Sequence, residues 1–251
     1  MISVLLYGAN GHMGKVVTEM IAQEEGIEIV AGVDAFGGQN ADFPVFTSLA
    51  DCTVPADVII DFSTAKAVDL LLAYGVERHI PMVICTTGLS PEQIQAVEDA
   101  SKEVAVLRSA NMSLGVNLLL KLLKEAARTL CPNGYDTEIL EMHHNRKLDA
   151  PSGTALALAD SINEAMDGSY HYVYDRSERR EKRDPKEIGI SAMRGGTVVG
   201  IHDVTFAGQD EVIEFKHTAY SRAIFAKGAV SAAKFLARKG PGLYDMADVI
   251  G

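Results

Sequence analysis

The largest concentration of side chains able to do chemistry lies at residues 141–155, which include the adjacent pair His143 and His144. Imidazoles exchange protons near neutral pH. In a strand, consecutive side chains point to opposite faces, so both histidines can serve one site only where the strand ends. The polar residues 145–149 make such an end possible, and Lys147 among them adds a positive charge. The end of the strand can therefore bring both imidazoles to one site beside a fixed positive charge.

The last part of this segment has the residue types of a helix start. Ser152, Gly153 and Thr154 follow a proline there, and the first turn of a helix has N–H groups without acceptors in the helix. Such N–H groups, together with two hydroxyls, suit a carboxylate. With Lys147 close in sequence, the segment predicts an anion site. Zinc binding fits less well, because adjacent histidines lack the usual ligand spacing and no third ligand is evident.

A glycine-rich loop at residues 8–14 is a GxxGxxG variant of the dinucleotide-binding fingerprint. It follows a strand-like apolar run and precedes an apolar stripe at helical spacing, and this context makes the motif specific. In such a loop the backbone N–H groups approach a pyrophosphate, whose charge the helix dipole favours. The motif predicts a nicotinamide dinucleotide in contact with Gly8, Asn10, Gly11, His12, Met13 and Gly14.

Asp34 ends the second predicted strand, about 20 residues beyond the glycine loop, where an acidic side chain usually accepts hydrogen bonds from the adenosine ribose. A carboxylate at this position repels a 2′-phosphate, which favours NADH over NADPH. Lys15 and His12 could instead pair with that phosphate. The sequence therefore leaves both coenzymes, NADH and NADPH, open.

The order of apolar segments indicates which elements hold these residues. Through the first half of the chain, short apolar runs alternate with amphipathic segments, as in a parallel sheet with crossover helices. We predict strands at residues 2–7, 27–33, 58–61, 80–85 and 104–107. Ser90, Pro91 and Gln93 form a helix start with an N-cap, a proline and a capping box. The first half is predicted to be α/β.

The pattern changes after about residue 111. We predict helices at residues 116–130 and 154–166 and strands at 137–144, 188–193, 198–206 and 211–218. The last three strands lack helices between them, which favours an antiparallel sheet in an α+β domain. Residues 170–185 carry mixed charges and are interpreted as a solvated loop. A final helix at residues 223–238 is expected to return to the first domain.

Composition limits the classes of function. A chain of 251 residues suits two domains, and a net charge of −11 disfavours nucleic acid as a partner. Cys52, Cys85 and Cys131 are scattered and interpreted as reduced thiols. The sequence shows neither a secretory signal nor an apolar stretch long enough to cross a membrane. We therefore expect a cytoplasmic protein without a membrane partner and without a bound metal.

Residues 141–155 resemble the signature Glu-x-His-His-x-x-Lys-x-Asp-Ala-Pro-Ser-Gly-Thr-Ala of the 4-hydroxy-tetrahydrodipicolinate reductase family. The glycine loop and residues 61–63, 86–88, 111–113 and 221–222 are similar to the family in the same order. The resemblance implies a Rossmann-type dinucleotide-binding domain, residues 1–112 and 222–251, with an inserted α+β substrate and tetramerisation domain, residues 113–221. It thus implies a homotetramer of two-domain chains.

The resemblance also implies roles for individual residues. The coenzyme, NADH or NADPH, would contact the glycine loop and Asp34, and its nicotinamide would lie near Thr86, Thr87, Gly88, Ser109, Ala110, Asn111 and Met112. The carboxylates of a small cyclic dicarboxylate would contact His144, Lys147, Ser152, Gly153, Thr154 and Arg222. His143 and Lys147 would carry out proton transfer. The implied reaction is loss of water from the 4-hydroxylated ring, hydride addition at C4 and protonation at C3, in lysine biosynthesis.

Two residues depart from the family pattern, Cys85 in place of a frequent glycine and Met112 in place of a frequent aromatic residue. Both flank the predicted coenzyme pocket, so they bear on coenzyme preference and nicotinamide packing. Two other functions share some of these features. One is another two-domain dehydrogenase, which would need its own catalytic signature. The other is an NADH-sensing protein, which would not need His143 and Lys147.

Overall fold

A computed structural model describes residues 1–38 and 42–251, and these form two compact units. Unit 1 comprises Met1–Leu114 and Ala223–Gly251, and unit 2 comprises Gly115–Arg222. Within the described residues, every helix is too short or too polar to pass through a lipid bilayer.

The described residues of these units form twelve strands and seven α-helices. The strands are β1 (Ile2–Tyr7), β2 (Ile27–Val33), β3 (Val45–Phe46), β4 (Val58–Asp61), β5 (Met82–Ile84), β6 (Ala105–Arg108), β7 (Asp136–His143), β8 (His171–Val173), β9 (Glu187–Arg194), β10 (Gly200–Ala207), β11 (Val212–Ala219) and β12 (Gly242–Tyr244). The helices are α1 (His12–Ile21), α2 (Ala65–Arg78), α3 (Pro91–Ala100), α4 (Leu114–Leu130), α5 (Gly153–Ala165), α6 (Ala223–Leu236) and α7 (Met246–Ile250).

Unit 1 contains a seven-stranded sheet in the order β12-β6-β5-β4-β1-β2-β3, and its neighbouring strands pair in parallel. Its central strands are apolar on both faces because helices cover both. Leu6 on β1 packs into one apolar cluster with Val17 of α1 and Val230 of α6. Leu5 packs into the opposite cluster with Leu71 of α2. The predicted α/β fold of the first half is confirmed.

Unit 2 contains a five-stranded mixed sheet in the order β11-β10-β7-β9-β8. The prediction of an antiparallel sheet was partly wrong: β7 and β8 each pair with β9 in parallel, and only β10 pairs antiparallel with β7 and β11. The cause lies in the connections: α5 carries the chain back between β7 and β8, and residues 174–186 carry it back between β8 and β9, so that these three strands run in the same direction. Helices α4 and α5 pack on one face of this sheet through Leu123 and Leu158.

The charged segment at residues 170–185 is more ordered than the predicted solvated loop. Its first residues form β8 at the edge of the sheet. Arg183 donates to Asp136 Oδ1 at 2.8 Å and to Glu138 Oε1 at 3.1 Å on β7. Arg179 donates at 3.2 Å to Glu187, whose side chain is only 1% exposed. The positive charges of this segment therefore compensate carboxylates on the sheet.

Gly228 of α6 gives a test of how this helix packs in unit 1. A Cβ at Gly228 would lie 1.6 Å from the carbonyl oxygen of Met112. Alanine favours a helix by about 1 kcal/mol over glycine, but a clash with backbone requires α6 to shift. We therefore expect Gly228→Ala to lower the free energy of unfolding by about 3 kcal/mol, measured by urea denaturation.

The control is Gly240→Ala, because a Cβ at Gly240 would have no heavy atom within 4 Å. We expect this variant to change the free energy of unfolding by less than about 0.5 kcal/mol. Equal stability of the two variants would contradict the packing described for α6.

Candidate functional site

The predicted coenzyme residues lie at one edge of the unit 1 sheet. Strands in a parallel sheet end at the same edge, where ligands of α/β proteins bind. The glycine loop follows β1, Asp34 follows β2, residues 86–88 follow β5 and residues 109–112 follow β6. The fold thus places four segments that are far apart in sequence at the same edge of the sheet.

The glycine loop is packed too closely for side chains at two of its glycines. Gly8 has a φ of +82°, and a Cβ there would lie 2.6 Å from the carbonyl oxygen of Phe62. A Cβ at Gly14 would lie 2.2 Å from the carbonyl oxygen of Gly8. The absence of side chains at Gly8 and Gly14 lets the backbone of the loop and of the start of α1 pack closely. Gly11 and His12 remain exposed. The exposed N-terminal end of α1 suits a pyrophosphate.

Asp34 connects the glycine loop to the end of β2. Its Oδ2 accepts a hydrogen bond from the backbone N–H of Asn10 at 3.0 Å, and its Oδ1 accepts one from Phe36 at 3.1 Å. Each carboxylate oxygen can accept a further hydrogen bond, so a ribose hydroxyl could also bind. The neighbours Ala35 and Phe36 carry no positive charge, and Phe36 is 98% exposed.

Three buried polar side chains at the ends of β4 and β5 lack partners for some of their atoms. Asp61 accepts a hydrogen bond from the Ser63 N–H at 2.9 Å. The hydroxyls of Ser63 and Thr86 lie close enough to Asp61 to act to lower its pKa, but neither they nor its other oxygen form a hydrogen bond of normal geometry with the described residues. Burial raises the pKa of Asp61. Unsatisfied buried groups are rare, and they fit a polar ligand such as a carboxamide at this edge.

In unit 2, His143 is the last residue of β7 and contacts a buried carboxylate. Its Nδ1 lies 2.6 Å from Glu141 Oε2. Burial acts to raise the pKa of Glu141, but hydrogen bonds from Arg194, His143 and the Ser152 N–H outweigh burial and lower it. The carboxylate therefore remains ionised beside the imidazole.

The start of α5 is joined to the same cluster. Ser152 is the N-cap, and its Oγ accepts from the Ala155 N–H at 3.2 Å and lies 3.1 Å from His202 Nε2. The rings of His202 and His143 meet edge to face with centroids 5.2 Å apart. Burial lowers the pKa of His202 to about 4. A neutral His202 thus supports the first turn of α5.

In unit 2, His144 lies near the positive charges of Lys147 and Arg222. The pKa of His144 is lowered by desolvation and by the nearby charges of Arg146, Arg222 and Lys147. Its Nδ1 is buried without a hydrogen-bond partner in the described part of the chain. Lys147 pairs with Asp149 at 2.9 Å. The structure therefore gathers three predicted carboxylate-binding side chains.

Gly153, the first residue of α5, adds a backbone donor to this site. It is exposed, and a Cβ there would have no heavy atom within 4 Å. Its N–H belongs to the first turn of the helix, where intrahelical acceptors are absent. Open space beside such a group suits the approach of a carboxylate. Thr154 follows it in the same turn.

Sequence reasoning assigned no role to Glu141, Arg194, His202 or Asp61. Glu141 could have been found from its spacing, because residues two apart on a strand share a face. Arg194 and His202 lie on β9 and β10, which pair with β7, and their distance in sequence gives no such signal.

Comparisons with known proteins agree with this geometry. Two family models match, described as dihydrodipicolinate reductase, N-terminus, over residues 2–112 and dihydrodipicolinate reductase, C-terminus, over residues 115–250. A 4-hydroxy-tetrahydrodipicolinate reductase of Caldanaerobacter subterraneus is 52% identical over 100% of this chain and 98% of its own. One of Clostridium novyi is 46% identical, with the same coverage of both chains.

Solved structures extend the comparison to the fold. A dipicolinate-bound dihydrodipicolinate reductase from Paenisporosarcina sp. matches with a TM-score of 0.81 and 26% identity, covering 98% of this chain and 97% of the other. An amine dehydrogenase from Mycobacterium smegmatis has a TM-score of 0.63 at 12% identity, covering 96% of this chain and 94% of the other. This second likeness concerns the fold alone.

The low pKa of buried His202 predicts a pH dependence of stability. The folded chain binds the His202 proton at about pH 4, and the ordinary value is 6.5. Between these two pH values the unfolded chain therefore binds more protons than the folded chain. The contribution of a neutral His202 to the free energy of unfolding is present above pH 6.5 and is lost as the pH falls toward 4. We expect this loss to reach about 3 kcal/mol, and His202→Gln to remove that part of the slope.

Urea denaturation across this pH range measures both slopes. His217 and His144, whose pKa values are also lowered, contribute to both proteins, so the difference isolates His202. The control His171→Gln changes an exposed histidine and should keep the wild-type slope. Equal slopes for His202→Gln and wild type would refute the assignment of this proton to His202.

Proposed function

The chain belongs to the dihydrodipicolinate reductase family, and from this we infer that it is an oxidoreductase that reduces 4-hydroxy-tetrahydrodipicolinate with NADH or NADPH. The product is 2,3,4,5-tetrahydrodipicolinate, released with water, and the reaction belongs to lysine biosynthesis through diaminopimelate. This inference rests on the matches to both family models, which cover residues 2–112 and 115–250. The hydrogen-bonded group of His143 and Glu141 supports it.

The groups in unit 1 fit a nicotinamide dinucleotide. The glycine loop and the start of α1 would hold the pyrophosphate, and Asp34 the ribose. We propose that residues 86–88 and 109–112 lie near the nicotinamide. The hydroxyls of Ser63 and Thr86, which lie beside Asp61, would form hydrogen bonds with its carboxamide. The bound coenzyme supplies the hydride that is added at ring C4.

The groups in unit 2 fit a small dicarboxylate. The solved relative from Paenisporosarcina sp. is described as dipicolinate-bound, and dipicolinate carries two carboxylates on one ring. We propose that Lys147, Arg222 and His144 bind one or both carboxylates by charge and hydrogen bonds. The first turn of α5, with Ser152, Gly153 and Thr154, would hold the other end by backbone and hydroxyl donors.

Hydride addition leaves electron density that a proton at C3 must neutralise. His143 and Lys147 are the proposed donors, because both are near the proposed carboxylate site and both can carry an exchangeable proton. His143 offers its Nε2, since Nδ1 faces Glu141. Lys147 would in addition stabilise the negative charge of the bound dicarboxylate.

We further propose a cytoplasmic homotetramer. Its location is supported by three free cysteines, since cytosolic proteins keep thiols reduced. Its assembly is supported by the face of the unit 2 sheet opposite α4 and α5, where Leu140 and Met193 are 44% and 47% exposed and lie beside Met142. Apolar side chains grouped on a sheet face suit contact with other copies of the chain.

Lys147→Ala and His143→Ala test the catalytic assignment. We expect each to lower kcat by about 100-fold, because the proton donor or the charge at the dicarboxylate is lost. The dissociation constant for NADH should stay unchanged, since its proposed contacts lie in unit 1. Steady-state assays with freshly generated substrate and coenzyme-fluorescence titrations measure the two quantities.

The matched control is Lys186→Ala, which removes an exposed lysine of unit 2 and should leave kcat unchanged. Wild-type turnover in Lys147→Ala would reject the proposed mechanism. The variant whose kcat loses its dependence on pH identifies the proton donor.

Asp34→Asn tests coenzyme preference. Removing the carboxylate removes its repulsion of a 2′-phosphate, so we expect the ratio of NADPH to NADH dissociation constants to fall about 10-fold, equivalent to about 1.4 kcal/mol. Asp51→Asn makes the same charge change at an exposed site of unit 1 and should keep the wild-type ratio. A constant ratio in Asp34→Asn would show that another residue sets the preference.

A further inference from the structure

Glu141 is a fully buried carboxylate that accepts hydrogen bonds from three residues. Arg194 donates from Nη1 to Oε2 at 2.8 Å and from Nη2 to Oε1 at 2.7 Å. His143 Nδ1 lies 2.6 Å from Oε2, and the N–H of Ser152 donates to Oε1 at 2.9 Å. Each oxygen thus has two partners, which uses the full acceptor capacity of the group.

We propose that Glu141 and Arg194 are a positioning pair for the reductase reaction, holding the His143 imidazole in one tautomer and in a fixed orientation to the start of α5. The proposal rests on the proposed function, in which His143 gives a proton and α5 binds a carboxylate. Neither residue of the pair needs to touch the substrate. Their effect acts through His143, Ser152 and the segment that carries Lys147.

The tautomer follows from the chemistry of the contact. An ionised carboxylate only accepts hydrogen bonds, so the nitrogen facing Glu141 carries a proton. Nε2 is then the nitrogen that takes up a proton to form the imidazolium, and from the imidazolium it can give that proton to a ligand, as in other carboxylate–imidazole pairs. Gly200 leaves room at this nitrogen, because a Cβ there would lie 3.1 Å from His143 Nε2.

Arg194 contributes charge and geometry together. A buried carboxylate is costly without a partner of opposite charge, and the guanidinium supplies that charge through two parallel hydrogen bonds. The same group donates to the carbonyl oxygens of Asp149 and Met193, each at 2.6 Å. Arg194 therefore links β9 to Glu141 and to the segment that contains Lys147. A lysine could supply the charge but not the forked set of hydrogen bonds.

The experiment uses the full chain with Glu141→Gln, which keeps the size of the side chain. An amide has one acceptor oxygen and one donor group, so it cannot accept from Arg194, His143 and Ser152 together. We expect kcat to fall about 100-fold and the NADH dissociation constant to change less than about 2-fold. The ¹⁵N spectrum of labelled His143 should show the ring proton redistributed from Nδ1 to Nε2.

Arg194→Lys is the second variant and keeps the charge. We expect kcat to fall about 10-fold and the Nδ1 signal of His143 to become averaged. The matched control is Glu214→Gln, an exposed glutamate on β11, which should keep wild-type kcat and the wild-type ¹⁵N spectrum.

Wild-type kcat in a folded Glu141→Gln variant would overturn the proposal, and so would an unchanged His143 spectrum in that variant despite a lower kcat. Should Glu141→Gln not fold, wild-type kcat and a wild-type spectrum in Arg194→Lys would overturn it. The spectrum needs no substrate. A wild-type chain with the protonated Nδ1 but no reductase activity would therefore refute the proposed function and leave the positioning of His143 established.

Discussion

The buried charge of Glu141 is the constraint on which the unit 2 site depends. Removing a carboxylate from water is tolerated only when donors and an opposite charge replace the lost hydration. The donors that surround the Glu141 carboxylate come from the end of β7, the end of β9 and the N-cap residue of α5. The same contacts determine where His143 and the α5 amides lie, so stability and site geometry have one origin.

Unit 1 meets a different requirement, the approach of backbone to a phosphate. A parallel sheet places the ends of its strands at one edge, and the close contacts at Gly8 and Gly14 leave the start of α1 free to face a ligand. Asp34 holds the loop through the Asn10 N–H while it retains acceptor capacity for a ribose. One acidic side chain therefore contributes to loop structure and, in the proposed function, to coenzyme choice.

Local charge and overall charge differ in this chain. The net charge is −11, yet Lys147, Arg146 and Arg222 lie close enough to lower the pKa of His144. A dianionic ligand would be attracted by this local group, because exposed charges beyond about 8 Å are largely screened at physiological ionic strength. The chain shares its fold with an amine dehydrogenase at 12% identity, and a fold by itself does not determine a reaction.

Local periodicity and short motifs are enough to predict the α/β character of unit 1, the glycine loop and the segment from His143 to Thr154. Contacts in the folded chain were needed to find that the unit 2 sheet is mixed and that residues 171–173 join it as a strand. They were also needed to find that Arg194 and His202 contact the histidine segment. Strand order and pairing depend on contacts between distant residues, and a single sequence contains no local signal for such pairs. The role of Glu141 follows the same division: its spacing from His143 is visible in the sequence, whereas its burial and its four hydrogen bonds exist only in the folded chain.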